Sequence, residues 1–131
     1  MRINTIVIIA VVILVGGTFV LTRGNNDPNI ESKQDQSNIA IVGGEQIIEI
    51  NAKGGYSPKV TTAKANIPTI VKIRTQGTFD CSSAFTIPAL GYHTNLPSSG
   101  ITEIEVPPQK AGTKLQGLCS MGMYSFIINF N

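Results

Sequence analysis

The chain has no tryptophan, two cysteines, one histidine and few charges, and each scarcity excludes something. Charged residues make up 14% of its 131 positions and the formal net charge is +2. A nucleic-acid-binding domain of this size carries a clustered basic patch, so nucleic acid is not an expected partner. Two cysteines cannot build the disulfide framework of a small secreted domain, although they suffice for one bridge or for part of one metal site. There is no nucleophile elbow, no glycine-rich phosphate loop and no His–carboxylate pairing, so the chain is not expected to be an enzyme. No segment of its C-terminal two thirds sustains a helical period. Gly, Pro, Thr, Val and Ile are plentiful there, which points to strands and turns.

Sulfur is scarce too, and it is concentrated. Besides the initiator, the chain has two methionines, and both stand with one of the cysteines in Cys119-Ser120-Met121-Gly122-Met123. Thiolate and thioether together favour Cu(I) over harder metals. Were this stretch extended, Cys119, Met121 and Met123 would project to one side, because side chains alternate with period two.

In chain order, residues 3–22 are almost wholly apolar; from Ile6 to Leu21 there is no charge and only Thr18 is polar. About 20 such residues span a bilayer as a helix, the conformation that pairs every backbone group internally. The rival is a cleaved signal peptide, but no A-x-A-like site follows Leu21 and no cysteine stands there for a lipid. Residues 1–23 are therefore expected to form a single-pass transmembrane anchor. The short N-terminal flank favours export of the C-terminal portion, which places it on the extracytoplasmic side of the cell membrane. Residues 24–44, rich in Asn, Asp, Ser, Gln and Gly, bury too little to offset ordering entropy and read as a flexible tether with a reach of roughly 25 Å. The apolar run at 39–42 lies at its border with the domain.

Residues 45–131 read as one all-β domain. Alternating or β-rich runs at 46–52, 59–63, 68–75, 85–88, 101–106, 114–119 and 125–130 predict seven short strands, with a turn at Gly54-Gly55-Tyr56-Ser57-Pro58. Ile70, Lys72 and Arg74 share one face of the third strand and Val71 and Ile73 the other; Glu103 and Glu105 point outward from the fifth. Seven strands with turns between them suggest an antiparallel sandwich, and some 87 residues make one modest core.

The segments Gly55-Tyr56-Ser57-Pro58, Cys81-Ser82-Ser83-Ala84-Phe85-Thr86-Ile87-Pro88, Leu96-Pro97 and Cys119-Ser120-Met121-Gly122-Met123 follow one another in an order that resembles the cupredoxin-like domains of envelope proteins handling copper or iron. The resemblance covers residues 45–131. It implies a Greek-key β-sandwich in which the segment before the F-x-I-P strand and the loop between the last two strands meet at one end, so that Cys81 and Cys119 become neighbours. A blue-copper site needs two histidines, a cysteine and a weak axial methionine. Here Ser83 stands where electron-transfer relatives carry their first histidine, and Met121 and Met123 replace the second. What the resemblance leaves is Cys81, Cys119, Met121 and Met123, a soft set similar to that of membrane-anchored cupredoxin-fold Cu(I) chaperones of copper resistance. It implies Cu(I) as the bound ion and a copper-exporting ATPase or another copper acceptor as the partner.

Each residue also has a plainer reading. Cys119 suits a buried core position, and Cys81 suits a disulfide with it; Met121 and Met123 suit gap filling. His93 lies in a stretch that reads as loop and is expected at the surface, with an approach to the sulfur site as the alternative. Asp80 reads as a turn residue, and Tyr56 and Tyr124 as partly buried packing residues. Forcing Asp80 and His93 into a zinc site with the cysteines would leave the two methionines unexplained. The competing functions are a metal-free, disulfide-stapled interaction or sensor module and an atypical electron-transfer cupredoxin.

Overall fold

Period-two alternation of apolar residues dictates strands with one face inward, and the structure, a computed structural model, shows them over the described residues, 37–131. The expected anchor at 1–23 and the tether up to residue 36 lie outside the described residues. Among the described residues no helix is long and apolar enough to cross a membrane. The strands are β1 (Ile39–Val42), β2 (Glu45–Ala52), β3 (Tyr56–Ser57), β4 (Val60–Ala63), β5 (Thr69–Gln76), β6 (Ala84–Ile87), β7 (Tyr92–Asn95), β8 (Ser99–Val106), β9 (Lys114–Cys119) and β10 (Ser125–Phe130), with 3-10 turns at Cys81–Ser83 and Pro88–Leu90.

They form two five-stranded sheets. One runs β1-β2-β5-β8 with β3 also on β2; the other runs β4-β10-β9-β6-β7. All seven strands read from the sequence are present. The antiparallel expectation needs correction, because β2 pairs parallel with β5 and β4 pairs parallel with β10. Parallel neighbours require a crossover rather than a hairpin. The chain supplies one by leaving the first sheet after β3, adding β4 to the second sheet, and returning as β5. Three further strands escaped the sequence reading. β1 is an edge strand with mostly exposed residues. β3 is two residues long inside a Gly/Pro-rich turn. β7, Tyr-His-Thr-Asn, has too little apolar character to read as a strand and exists because its backbone pairs with β6.

The inward faces meet in one core. Ile48, Ile50, Val71 and Ile73 from the first sheet and Phe85, Ile87, Ile128 and Phe130 from the second are fully buried. Parallel register places Ile48 beside Val71 and Ile50 beside Ile73, and Ile104 and Val106 of β8 extend the layer. Towards the end where β9 finishes, the core becomes aromatic. Phe85 and Phe126 stack with ring centroids 5.9 Å apart and planes at 5°, and Tyr56 meets both edge-on at 5.7 and 5.4 Å.

Gly117 makes that stack possible. It lies opposite Phe126 in the β9–β10 register, and a Cβ there would stand 2.4 Å from the Phe126 ring and 3.0 Å from Phe85. Gly117→Ala therefore forces both rings to shift. It should destabilise the domain by about 1–3 kcal/mol, the usual range for overpacking a filled core, measured as a lower urea midpoint with unchanged m-value.

Candidate metal centre

The two cysteine-bearing segments are joined by strand pairing. β6 and β9 are hydrogen-bonded neighbours with Phe85 opposite Cys119 and Thr86 opposite Leu118. Beyond the last pair the contact continues, since Ser120 N–H donates to Ala84 O at 2.7 Å. β6 begins just after the 3-10 turn that carries Cys81, and β9 ends on Cys119. The pairing thus delivers both thiols to the same end, and their Sγ atoms lie 2.8 Å apart. Both are free cysteines, Cys119 buried and Cys81 half-buried.

Asp80 holds the Cys81 segment. Its carboxylate accepts from the N–H groups of Ser82 and Gly54, each at 2.8 Å, and from the Ser82 hydroxyl. It caps the 3-10 turn from one side and ties the β2–β3 turn to it from the other. Its carbonyl accepts from Ser83 N–H and Ser83 Oγ. Tyr56 adds a further tie, its hydroxyl donating to Ser82 O at 2.9 Å. Burial, and then negative charge at Cys119, Cys81 and Asp80, push the Tyr56 phenol far above its ordinary range, so it remains a donor. The turn residue expected at Asp80 is therefore also the clamp of the site. The sequence signal for it is an Asp two residues before a serine at the start of a turn, the pattern of a side-chain cap.

On the other side, residues 120–124 close tightly. Cys119 N–H donates to Tyr124 O at 3.0 Å and Gly122 N–H to Cys119 O at 2.8 Å, with Gly122 at φ +72°, a backbone region that favours glycine. The stretch is consequently not extended, and the expected one-sided row of three sulfurs is not formed. Cys119 Sγ points into the core end, while Met121 and Met123 stand out on the turn, 78% and 65% exposed.

The environment of the thiols is asymmetric. Burial by itself pushes the Cys119 thiol up. The hydrogen bond from Cys81 and the backbone N–H groups of Tyr124, Met123 and Met121 outweigh it and leave its pKa below the ordinary value; the Tyr124 N–H lies 3.4 Å from the sulfur. Cys81 is pushed up, first because it donates to Cys119, then by burial. Cys119 is thus the more acidic and Cys81 the less acidic thiol of the pair.

Of the four residues singled out from the sequence, the structure brings the two cysteines into contact and holds the two methionines exposed on the adjoining turn. Among the described residues, no three of His, Cys, Asp and Glu gather as a metal-holding group. His93 is exposed on β7 opposite Thr86, and Asp80 spends its oxygens on backbone and serine donors. The donor set present, two cysteine sulfurs and two thioethers, fits a soft monovalent ion and not zinc.

Residues 11–128 match the cupredoxin-like domain family, and the chain belongs to it. Among solved structures, the metal-binding domain of the Cu(I)-exporting P-type ATPase CopA of Streptococcus pneumoniae D39, determined with Cu(I), is similar at 20% identity and a TM-score of 0.63, over 71% of this chain and 92% of that one. A copper binding protein solved in its apo form is similar at 24% identity and a TM-score of 0.64, over 71% of this chain and 94% of that one. At these identities the likeness is one of fold. No curated protein matches the chain in sequence.

Two measurements check this geometry. The ultraviolet absorbance of thiolate should titrate in two steps, one below and one above the ordinary cysteine range, and Cys119→Ser should bring the remaining step back towards it. Asp80 is held below the usual carboxylate range by the Ser82 hydroxyl first and then by the Ser82 and Gly54 N–H groups. Its stabilising effect is fully present above the unfolded carboxylate pKa of about 3.9 and is lost as pH falls through the lower folded value. The excess stability of wild type over Asp80→Asn should therefore be constant near neutrality and shrink below about pH 4.

Proposed function

We propose that the protein binds Cu(I) through Cys81, Cys119, Met121 and Met123 and serves as a membrane-anchored copper chaperone or buffer. The observation that carries this reading is the pair of thiols 2.8 Å apart directly beside a turn that exposes both internal methionines. The cupredoxin-like family membership supports it, and so do the two copper-binding neighbours in fold. A similar domain within a Cu(I)-exporting ATPase makes such a pump a natural acceptor.

The chemistry follows from the donors. The Cys119 thiolate, held by backbone N–H groups, supplies the negative charge that binds the ion. Cys81 supplies a second thiolate, and because both cysteines bind in their deprotonated form, uptake releases protons and strengthens as pH rises. The thioethers of Met121 and Met123 are neutral and accessible. An acceptor's thiolates displace them first, and the ion passes over by successive ligand replacement without ever being free in water. Anchoring by residues 1–23, with the domain outside the cytoplasm, would confine this exchange to the membrane surface. Electron transfer is the weaker alternative, since the chain's single histidine stands exposed on β7 opposite Thr86.

A Cu(I) titration of the reduced protein against a chromogenic Cu(I) chelator tests the reading. Wild type should compete for Cu(I), Cys119→Ser should lose that competition, and Met121→Leu/Met123→Leu should weaken it by about tenfold, equivalent to about 1.4 kcal/mol. Retention of wild-type affinity by Cys119→Ser would sink the proposal. A protein that never competes, and whose two cysteines are found bridged, would be the metal-free sandwich instead.

A further inference from the structure

Charge is laid out unevenly along the sandwich. Glu49 and Glu103 lie mid-strand on the first sheet and are paired, with Arg74 at 3.5 Å and Lys72 at 3.0 Å. Glu45 opens β2 and Glu105 lies near the close of β8, both towards the end opposite the cysteines. Among the described residues the cysteine end carries no glutamate. Asp80, its one carboxylate among the described residues, is engaged by Gly54 and Ser82. Its cations are Lys53, just after β2, and Lys59, just before β4, and neither belongs to either ion pair found among the described residues.

These lysines are not scattered. Together with Ser57, Met123, Tyr124 and Ser125 they line a cleft of about 330 Å³. The Lys53 ammonium lies 3.7 Å from where a Cβ on Gly77 would stand, so it reaches over the turn that leads to Phe79. Phe79 is 85% exposed and, with Met121 and Met123, completes the three most exposed large apolar side chains among the described residues. All three lie within four positions of Cys81 or Cys119. Methionine exposure has a reason in metal exchange, whereas Phe79 is no ligand. An exposed phenylalanine two residues before Cys81, at the end of the sandwich that also exposes the two thioethers, marks a surface that another molecule covers.

We infer that this end is a docking face for a protein whose surface around its own copper-accepting thiols is acidic. The inference rests on the Cu(I) reading and adds to it the chemistry of the partner. Phe79, Met121 and Met123 form the apolar centre that excludes water around the exchanging ion, and Lys53 and Lys59 form a cationic rim on one side of it. Exposed lysines contribute little to the strength of a complex. They act on encounter, raising the association rate with an oppositely charged surface by tenfold or more at low ionic strength and losing that effect as salt screens them. A fast, weak encounter is what a protein passing on an ion requires. Two lysines in a cleft are too few and too local for nucleic acid, and the apolar centre has no use for a small free anion.

The test uses the full chain in detergent micelles, loaded with Cu(I), and two synthetic acceptor peptides. Both peptides carry the same Cys-x-x-Cys site and a fluorophore quenched by Cu(I); one has glutamates flanking the site and the other lysines. At low salt the glutamate peptide should load at least about tenfold faster in stopped flow, and high salt should bring the two rates together. Lys53→Glu/Lys59→Glu should reverse the preference. Phe79→Ala, which removes an exposed ring, should slow loading of the glutamate peptide while leaving Cu(I) affinity, measured with the chelator, unchanged. Equal rates for the two peptides, or a preference that survives the double charge reversal, would overturn the docking face while the Cu(I) reading stood. Absence of Cu(I) from the wild-type chain in the chelator assay would overturn both.

Discussion

Everything at the functional end depends on two residue pairs, Phe85 opposite Cys119 and Thr86 opposite Leu118, where β6 and β9 run side by side. This short stretch of ladder is the one place where the strand after Cys81 and the strand before the methionine turn share hydrogen bonds. Because side chains alternate, slipping the register by one residue would turn Cys119 to the opposite face and Phe85 out of the aromatic stack. The stack guards against such a slip. Phe85 and Phe126 close over Gly117, leaving no room for any larger residue and no alternative seat for either ring. Core packing and ligand placement are thus one constraint, and damage to the first reaches the second.

Around that junction the protein divides labour between buried and exposed sulfur. Cys119 belongs to the core, and amides of the turn that follows it lower the pKa of its thiol. Cys81 belongs to a short turn held from outside by Asp80 and Tyr56. The methionines belong to solvent. A set of donors graded from fixed to free suits an ion that is kept but also handed on. On the Cu(I) reading proposed above, the rigid member would set retention and the accessible ones exchange.

Much of this was legible in the chain. Alternation at 46–52 and 101–106 is strong because each strand buries one face only, and the sulfur cluster at 119–123 is conspicuous in a sequence with so little sulfur elsewhere. The proximity of Cys81 to Cys119 came from the resemblance to cupredoxin-like domains, since nothing local to either cysteine encodes the other. What could not be read was whatever depends on backbone pairing alone. The polar β7 and the two-residue β3 owe their conformation to neighbours, and the parallel pairings reflect a crossover that periodicity does not record. The shape of the sulfur loop was misread for a similar reason. Alternation assumes extended backbone, and Gly122 in the left-handed region breaks that assumption in the middle of the motif. Asp80 was recognised as a turn residue, but its reach to Gly54 spans 26 positions and belongs to the fold.

The separation of 38 positions between the two thiols has a temporal meaning. Contacts so distant along a chain form late, after the loop between them has been closed at an entropic cost that local structure does not repay. In the unfolded polypeptide nothing holds Cys81 near the Cys119–Met123 turn, so the four sulfurs proposed as donors come together only as the chain folds. On the Cu(I) reading proposed above, a chain that holds the ion through all four sulfurs is a chain whose sandwich has closed.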